Sequence, residues 1–374
     1  MLYRRFGKTN LQLSVFSLGT MRYLASLENA QQTIEQAVLL GVNHLETATG
    51  YGKSEEYLGT ALKSDWAGAR KQLHITTKIL PVADIDTMRR CIDNSLQRLG
   101  LEYLDCLAIH GVNTWEHLDL IKLPGGCMQA VQEAVADGRV RHVGFSTHGS
   151  LEVITAAINT DLFEFVNLHY YYFFQRNAAA IRLAQEKDLG VLIISPADKG
   201  GQLYTPPQTL KDLCHPFSAL ELNYRFLLSK PAITTISVGA ANPHELAEPL
   251  SFADRGGSLT KQEVEVFQRL ERVGTAAVNQ CSQCYACLPC PENINIPEVL
   301  RLRNLAVTYD MTEYGKYRYQ MFENAGHWFP GVKGNRCTEC GDCLPRCPEE
   351  LDIPALLADT HQRLNGPDGR RLWS

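Results

Sequence analysis

The chain of 374 residues lacks several features that would assign it to common functional classes. It contains no uncharged apolar run of about 18 residues, so we expect no membrane-spanning helix. Its N-terminus turns polar before the apolar core of a signal peptide forms, which predicts a cytoplasmic protein. It has no dense block of lysine and arginine, and its formal charge is -5. Nucleic acid and membrane surfaces are therefore not expected partners.

The chain also lacks a Gly-x-Gly-x-x-Gly loop after its first predicted strand, which argues against a doubly wound dinucleotide-binding fold. Short β-rich runs instead alternate with longer runs of helical period, as in β/α units with a parallel sheet. Eight strands in about 250 residues match a closed barrel better than an open sheet. The predicted strands are residues 15–18, 44–47, 74–78, 106–110, 142–146, 165–168, 191–194 and 235–238. The predicted fold class is α/β, a (β/α)8 TIM barrel.

Helices are predicted between these strands and after the last one. They cover residues 30–40, 54–63, 88–99, 128–136, 178–187, 217–228 and 261–273. The last of them is a charged helix, after which the composition shifts to cysteine, proline and asparagine. We therefore place a domain boundary here. Residues 1–274 are predicted to form the barrel, and residues 275–374 a second domain.

Cysteine has the most informative distribution of any residue type. Eight of the 12 cysteines lie between positions 281 and 347. The other four are scattered and are expected to be small buried hydrophobes: Cys91, Cys106, Cys127 and Cys214. In a long chain without an export signal, clustered cysteines favour thiolates that hold metal over disulfides.

The clustered cysteines form two copies of an internal repeat about 56 residues apart. The first copy reads Cys281-Ser-Gln-Cys284-Tyr-Ala-Cys287-Leu-Pro-Cys290-Pro, and the second reads Cys337-Thr-Glu-Cys340-Gly-Asp-Cys343-Leu-Pro-Arg-Cys347-Pro. Three cysteines at this spacing can wrap one face of a [4Fe-4S] cubane. Structural zinc is the alternative, but such sites take two thiolates from each of two elements. The repeat therefore predicts two [4Fe-4S] clusters.

In two-cluster ferredoxins the fourth cysteine of each run ligates the other cluster. One cluster is then expected on Cys281, Cys284, Cys287 and Cys347, and the other on Cys337, Cys340, Cys343 and Cys290. The first copy has one residue fewer before its last cysteine, so the exchange of Cys290 and Cys347 stays open. The 46 residues from 291 to 336 resemble the helical insert of the helical ferredoxin type. The second domain is thus predicted to be small, mainly helical and ferredoxin-like.

Four titratable residues fall at or just after the ends of predicted barrel strands, where TIM barrels place their chemistry. They are Glu46, Tyr51, Lys78 and His110. A lysine ammonium lowers the pKa of a neighbouring phenol, and a carboxylate keeps that lysine charged and placed. A histidine orients the substrate oxygen or relays a proton. Taken singly, each residue is better explained as a polar group that stabilises the fold. Together they can deliver a proton to a carbonyl oxygen.

The segments 45–55, 75–78 and 105–110 resemble the three tetrad segments of the aldo-keto reductase family. The likeness spans residue 1 to about 251, and the cysteine repeat matches the branch of the family that is fused to a ferredoxin-type domain. The resemblance implies an oxidoreductase in which Tyr51 is the acid, Lys78 its pKa-lowering partner and His110 the substrate-orienting residue. The family's aspartate is replaced by Glu46, which is one methylene longer.

The resemblance also implies a nicotinamide cofactor across the barrel mouth. Ser146 and Asn167 stand where the family holds the nicotinamide amide, and Ser195 stands where a stacking aromatic is usual. The stretch 237–249 covers the place of the 2'-phosphate and contains Gly239, Asn242 and Glu248. The family's arginine is missing there, which weakens the expectation of NADP over NAD.

Three functions remain open on the sequence, because hydride transfer moves two electrons whereas each cluster moves one. The first is reduction of an aldehyde or ketone, with NADP or NAD. The second is an electron-transfer enzyme, in which a soluble carrier such as ferredoxin or flavodoxin feeds the clusters and these feed FMN or a one-electron substrate. The third is a non-catalytic electron-transfer partner.

Overall fold

The computed structural model describes residues 1–63, 70–277 and 279–367. Its contacts divide the chain into two compact units. The first unit comprises Met1–Pro196 and Asn223–Ser258, and the second comprises Ala197–Leu222 and Leu259–Ser374. The boundary between residues 274 and 275 remains a prediction, and the packing adds an internal segment of the chain to the second unit.

Eight parallel strands of the first unit close into a barrel, in the order β10-β3-β4-β5-β6-β7-β8-β9. The strands are β3 (Phe16–Gly19), β4 (His44–Glu46), β5 (His74–Ile79), β6 (Leu104–Ile109), β7 (Val140–Ser146), β8 (Phe165–Leu168), β9 (Gly190–Ile193) and β10 (Thr235–Val238). They are preceded by an antiparallel hairpin of β1 (Tyr3–Arg5) and β2 (Gln12–Ser14). The predicted (β/α)8 barrel is confirmed, and all eight predicted strands are present.

The strands are connected mainly by helices. These are α1 (Leu27–Leu39), α2 (Ser54–Lys63), α3 (Ile85–Leu99), α4 (Trp115–Lys122), α5 (Cys127–Ala136), α6 (Leu151–Ile158), α7 (Ala178–Glu186), α8 (Gln208–Cys214), α9 (Ala219–Leu228) and α10 (Ala247–Leu250). Four of them were not predicted from the sequence, namely α4, α6, α8 and α10. Within the described residues, none of the helices combines the length and apolar character needed to cross a bilayer.

The hairpin closes the N-terminal end of the barrel. Phe6 and Leu13 are fully buried in a cluster with interior residues of the barrel, among them Phe165. Gly7 adopts a left-handed conformation with φ of 53°, and a Cβ there would lie 2.2 Å from the backbone nitrogen of Gly190. A side chain at this position would therefore force the hairpin off the barrel. Buried side chains of the hairpin fill the N-terminal end of the barrel. An active site is therefore expected at the C-terminal end.

The second unit is mainly helical. Its helices are α8 and, after residue 259, α11 (Lys261–Ala276), α12 (Ile296–Tyr309), α13 (Thr312–Tyr319) and α14 (Ile353–Leu364), with 3-10 turns at Gly326–Trp328, Gly334–Arg336 and Leu344–Arg346. The Tyr314 hydroxyl donates to the carbonyl of Lys199 at 2.5 Å, and Arg269 Nε donates to the carbonyl of Leu213 at 2.8 Å. These bonds fasten the segment Ala197–Leu222 to the later helices.

Candidate active site and cluster loops

The four predicted catalytic residues lie at the C-terminal end of the barrel. Lys78 Nζ lies 3.4 Å from Glu46 Oε1 and 3.4 Å from the Tyr51 hydroxyl, and it donates to the Thr47 carbonyl at 2.9 Å. The His110 ring stands edge-on to the Tyr51 ring, with 5.8 Å between ring centroids. The structure therefore brings Glu46 and Tyr51 to the Lys78 ammonium, and His110 to the ring of Tyr51.

The Glu46 carboxylate joins two strands. Its Oε1 faces Lys78, and its Oε2 accepts a hydrogen bond from Asn167 Nδ2 at 3.0 Å. The side chains of Glu46 and Lys78 are only 4 % and 2 % exposed, so the ion pair has little water to compete with it. The extra methylene of a glutamate, compared with an aspartate, helps this carboxylate to reach both neighbours.

Backbone bonds hold the loop that carries Tyr51. The amide of Thr49 donates to the carbonyl of Lys78 at 3.0 Å, and the amide of Thr47 donates to the carbonyl of Thr76 at 2.8 Å. The Thr47 hydroxyl also shares a 2.8 Å hydrogen bond with Ser54 at the start of α2. The loop is tied to β5 on one side and to a helix on the other, so Tyr51 has a defined position.

Burial and the neighbouring opposite charge shift the pKa of Tyr51 in opposite directions, and the same is true of the pKa of Lys78. Burial raises the pKa of Tyr51 above its ordinary value, and this effect outweighs the lowering by the Lys78 ammonium. For Lys78, burial lowers the pKa, but Glu46 and Tyr51 together raise it by more than burial lowers it. The net pKa is above the ordinary value for lysine, so the ammonium stays charged. The expected lowering by Lys78 is therefore present, but it is smaller than the effect of burial. Tyr51 is a protonated phenol at neutral pH.

A second polar chain at the same end of the barrel was not found from the sequence. His169 Nε2 lies 3.1 Å from His148 Nδ1, and His169 Nδ1 contacts the Tyr171 hydroxyl. Both histidines follow barrel strands, His148 after β7 and His169 after β8. Neither belongs to a spacing pattern that marks a site, so the sequence alone does not predict the contact between them.

Two of the residues expected to hold a nicotinamide amide are neighbours. Ser146 and Asn167 are paired in register on β7 and β8, and they are 2 % and 0 % exposed. Ser146 Oγ accepts from the amide of Gly111 at 3.1 Å. Asn167 Oδ1 is buried and has no hydrogen-bond partner among the described residues. Ser195 follows β9 in a left-handed conformation, with φ of 53°.

The loop after β10 contains an ion pair that the sequence did not reveal. Arg22 Nη1 donates to the carbonyl of Gly239 at 2.8 Å and to Glu245 Oε2 at 2.8 Å. The same carboxylate oxygen accepts from the amide of Ala241 at 3.1 Å. A guanidinium therefore does lie at this loop, although it comes from the segment after β3 and is held by a carboxylate.

Two other residues expected in this region lie nearby without contacting Arg22. The Asn242 side chain accepts from the amide of His244 and begins the 3-10 turn Pro243–Leu246. Glu248 is exposed on α10. The carboxylate that holds the guanidinium is thus Glu245, three residues before the predicted Glu248.

The cysteines of the second loop face a common cavity in the second unit. Cys337, Cys340 and Cys343 line it together with Cys290 of the first loop, and it is partly open to solvent. Four thiols around one space match what a [4Fe-4S] cubane requires. The residues present could therefore hold a cluster in the expected combination.

The cysteines of the first loop lie near Cys347, the last cysteine of the second loop. Burial raises the pKa of Cys281, and the nearby thiols of Cys284 and Cys347 also act in that direction. Burial raises the pKa of Cys287 to about 12, with Cys281 and Cys284 again close by. Cys347 thus lies near the first loop and Cys290 near the second, although one copy of the repeat is a residue shorter.

Comparison with known proteins identifies both parts of the chain. Residues 16–272 match the model of the Aldo/keto reductase family, and residues 280–351 match that of the 4Fe-4S dicluster domain. The chain is 22% identical over 302 residues to the uncharacterized oxidoreductase YqkF of Bacillus subtilis, covering 71% of this chain and 95% of that protein. It is 30% identical over 168 residues to L-glyceraldehyde 3-phosphate reductase of Escherichia coli, covering 40% and 46% of the two chains.

A solved structure has the same barrel fold. The holo form of aldo-keto reductase AKR11C1 from Bacillus halodurans aligns with a TM-score of 0.62 and 22% identity, covering 72% of this chain and 96% of that one. The family match spans more than half of the present chain, whereas the dicluster match lies entirely beyond it. The chain is therefore an oxidoreductase that belongs to the aldo/keto reductase family and carries a 4Fe-4S dicluster domain C-terminal to its barrel.

Proposed function

We propose that this oxidoreductase reduces an aldehyde or ketone with NADH or NADPH, and that Tyr51 donates the proton to the carbonyl oxygen. One observation carries the proposal: a buried chain runs from the Tyr51 hydroxyl through the Lys78 ammonium to the Glu46 carboxylate. A protonated phenol next to a fixed ammonium is suited to give up its proton only as negative charge develops on the substrate oxygen.

The polar residues beyond Lys78 fit a carboxamide. Asn167 uses its Nδ2 on Glu46, so only its Oδ1 is available to a ligand, and that atom is buried without a partner among the described residues. A buried acceptor of this kind is satisfied by an N–H donor such as the amide of a nicotinamide. Ser146, in register beside it, has a hydroxyl hydrogen to donate to the amide oxygen. When bound, the nicotinamide supplies a hydride to the carbonyl carbon.

Each residue of the catalytic group then has its own task. Tyr51 donates its proton to the substrate oxygen as the oxygen gains negative charge. Lys78 stabilises the phenolate left behind, since opposite charges at short range favour the ionised form. Glu46 keeps Lys78 charged and in place. His110, edge-on to the Tyr51 ring, orients the substrate oxygen towards the phenol.

A second candidate is one-electron transfer by the dicluster domain, and one observation favours it. In each loop the middle cysteine, Cys284 or Cys340, is exposed. A cluster held there has an edge at the surface, which suits exchange of single electrons with a soluble carrier such as ferredoxin or flavodoxin. FMN gains no support from either family match.

The first experiment is a titration of the purified protein with NADH and NADPH, followed by a screen of aldehydes and ketones. Tyr51→Phe should lower kcat by about 100-fold to 10,000-fold, the usual contribution of a general acid, and leave nucleotide affinity unchanged. Tyr57→Phe removes a hydroxyl from α2, outside the catalytic group, and should retain full activity.

The pH profile adds a second readout. Because burial raises the pKa of Tyr51, wild-type reduction should stay constant through neutral pH and fall only in alkaline solution. Full turnover by Tyr51→Phe would overturn the proton-donor role. Absence of binding by both nucleotides would overturn the nicotinamide proposal and leave the one-electron candidate.

A further inference from the structure

The two cysteine loops share left-handed backbone positions near their starts but carry different side chains at one of these positions. Gln283 and Glu339 each stand two residues after the first cysteine of their loop, and both have a left-handed conformation, with φ of 59° and 55°. Two residues further on, Tyr285 and Gly341 are left-handed as well, with φ of 64° and 80°. The first turns of the two loops therefore share this backbone feature, and position 283 differs from position 339 in its side chain.

In the first loop, position 283 contributes a hydrogen bond to the sulfur of Cys281, a predicted cluster ligand. Gln283 Nε2 donates to Cys281 Sγ at 3.4 Å and to the carbonyl of Pro297 at 2.8 Å. The second bond anchors the amide, so its donor is aimed at the sulfur. Donors to thiolate sulfur favour the more negative, reduced state of a cluster and so raise its reduction potential.

In the second loop, the side chain of the equivalent residue, Glu339, cannot donate a hydrogen bond to a cysteine sulfur. The backbone amide of Glu339 donates to Cys337 Sγ at 3.4 Å, but its side chain is a carboxylate that has no proton to give. Its negative charge also disfavours adding an electron nearby. Two further acids, Glu292 and Asp342, line the cavity that this loop shares, where Arg346 offsets one of them.

We propose that the Gln283 and Glu339 pair sets the two clusters at different reduction potentials, the cluster on the Cys281 loop being the one reduced first. A one-electron carrier that reduces the cluster on the Cys337 loop then supplies an electron to the cluster on the Cys281 loop, which has the higher reduction potential. No atom is transferred in this step. Exposed Glu349 and Glu350, beside Cys347, oppose this order. Solvent screens those charges and that of Glu339, so the hydrogen bond of Gln283 carries most of the difference.

The test is a potentiometric titration followed by EPR on the full-length protein loaded with iron and sulfide. Wild type should show two midpoint potentials. Gln283→Glu should lower the higher potential and leave the lower one in place, and Gln283→Leu should lower it by a smaller amount. Glu339→Gln should raise the lower potential. Glu265→Gln, which removes a carboxylate from α11 outside the loops, should change neither.

The outcomes are separable from those of the carbonyl reductase proposal, because the inference rests on the proposed cluster ligands and not on turnover. Iron content and the spectrum of two interacting clusters report on the ligands before any potential is compared. If Gln283→Glu does not assemble both clusters, the inference is tested by Glu339→Gln alone, which must raise the lower midpoint potential. Equal potentials in wild type, or a Gln283→Glu change in the lower potential, would overturn the inference.

Discussion

Glu46 Oε2 accepts a hydrogen bond from Asn167 Nδ2 at 3.0 Å, while the other oxygen of the same carboxylate faces the Lys78 ammonium at 3.4 Å. The carboxylate thus links Lys78 to a residue of β8 on the far side of the barrel mouth. The orientation of the Asn167 amide follows from this bond. Its nitrogen points at Glu46, and its oxygen is the atom left for a ligand.

The first prediction concerns this carboxylate. Glu46→Gln leaves the Lys78 ammonium buried without its counter-charge, which typically costs about 3–5 kcal/mol. For a domain of this size the melting temperature should fall by roughly 10 °C. Glu46→Asp keeps the charge but shortens the reach, so we expect a smaller fall in melting temperature and weaker nicotinamide binding, as the Asn167 amide is no longer held.

Differential scanning calorimetry and nucleotide titration measure the two effects. Glu265→Gln removes an exposed carboxylate and should leave both unchanged. If Glu46→Gln melts at the wild-type temperature, the ion pair does not stabilise the site in the way its burial indicates. If Glu46→Asp binds nucleotide as wild type does, the Asn167 contact has no role in the cofactor site.

The second prediction concerns the choice between NADH and NADPH. Glu245 occupies the Arg22 guanidinium and the amide of Ala241, and its own charge repels a phosphate at that place. Glu245→Gln should free the guanidinium and raise the affinity for NADPH about tenfold, a gain of roughly 1.4 kcal/mol, with little change for NADH. Fluorescence titration of both reduced nucleotides measures the ratio.

Glu248→Gln is the matched control for this change. Glu248 lies on the same segment but is exposed and has no contact with Arg22 among the described residues, so its removal should leave the ratio of affinities unaltered. An NADPH gain with Glu248→Gln and none with Glu245→Gln would instead locate the phosphate at α10.

The third prediction concerns acid stability. His44 lies fully buried in the barrel, with Nδ1 at 2.7 Å from Ser17 Oγ and Nε2 at 2.7 Å from Thr76 Oγ1. Burial, helped by the charge of His74, lowers the pKa of His44 to about 3, whereas an unfolded histidine has a pKa near 6.5. Between these values the unfolded chain binds a proton that the folded chain does not.

The contribution of His44 to the free energy of unfolding should therefore fall as the pH drops below 6.5, with a slope that approaches about 1.4 kcal/mol per pH unit, and it should be nearly constant well above that pH. Urea unfolding from pH 7.5 down to pH 5.5 measures the slope. His44→Gln removes the titrating group, so its slope should be smaller over the acid part of this range, whatever it loses in overall stability. Parallel slopes for the two proteins would refute the assignment to His44.

The barrel was predictable from the sequence because its strands are short β-rich runs, mostly buried, between segments of helical period. Lys78 stood out for the opposite reason: a charged residue at the end of such a run requires a partner. The cysteine loops were predictable because ligand spacing is local in the chain. In each case the physical cause lies within a few residues of the signal.

The parts that were not predicted depend on contacts between distant residues. The Arg22 and Glu245 pair joins positions 223 residues apart, and neither residue belongs to a motif. The His148 and His169 contact likewise needs two strands to be in register. Helices α4, α6, α8 and α10 were missed because they are short, with only eight, eight, seven and four residues.

The division of the chain also has a consequence for its biosynthesis. The polypeptide leaves the first unit after Pro196, returns at Asn223 and leaves again after Ser258, so no single cut separates the two units. On the ribosome, Ala197–Leu222 is synthesised before Leu259–Ser374. Because the two segments pack together, Ala197–Leu222 can complete its packing only after the later segment has been synthesised. All eight clustered cysteines follow the last barrel strand in the chain. Assembly of the clusters therefore comes after all the barrel strands have been synthesised.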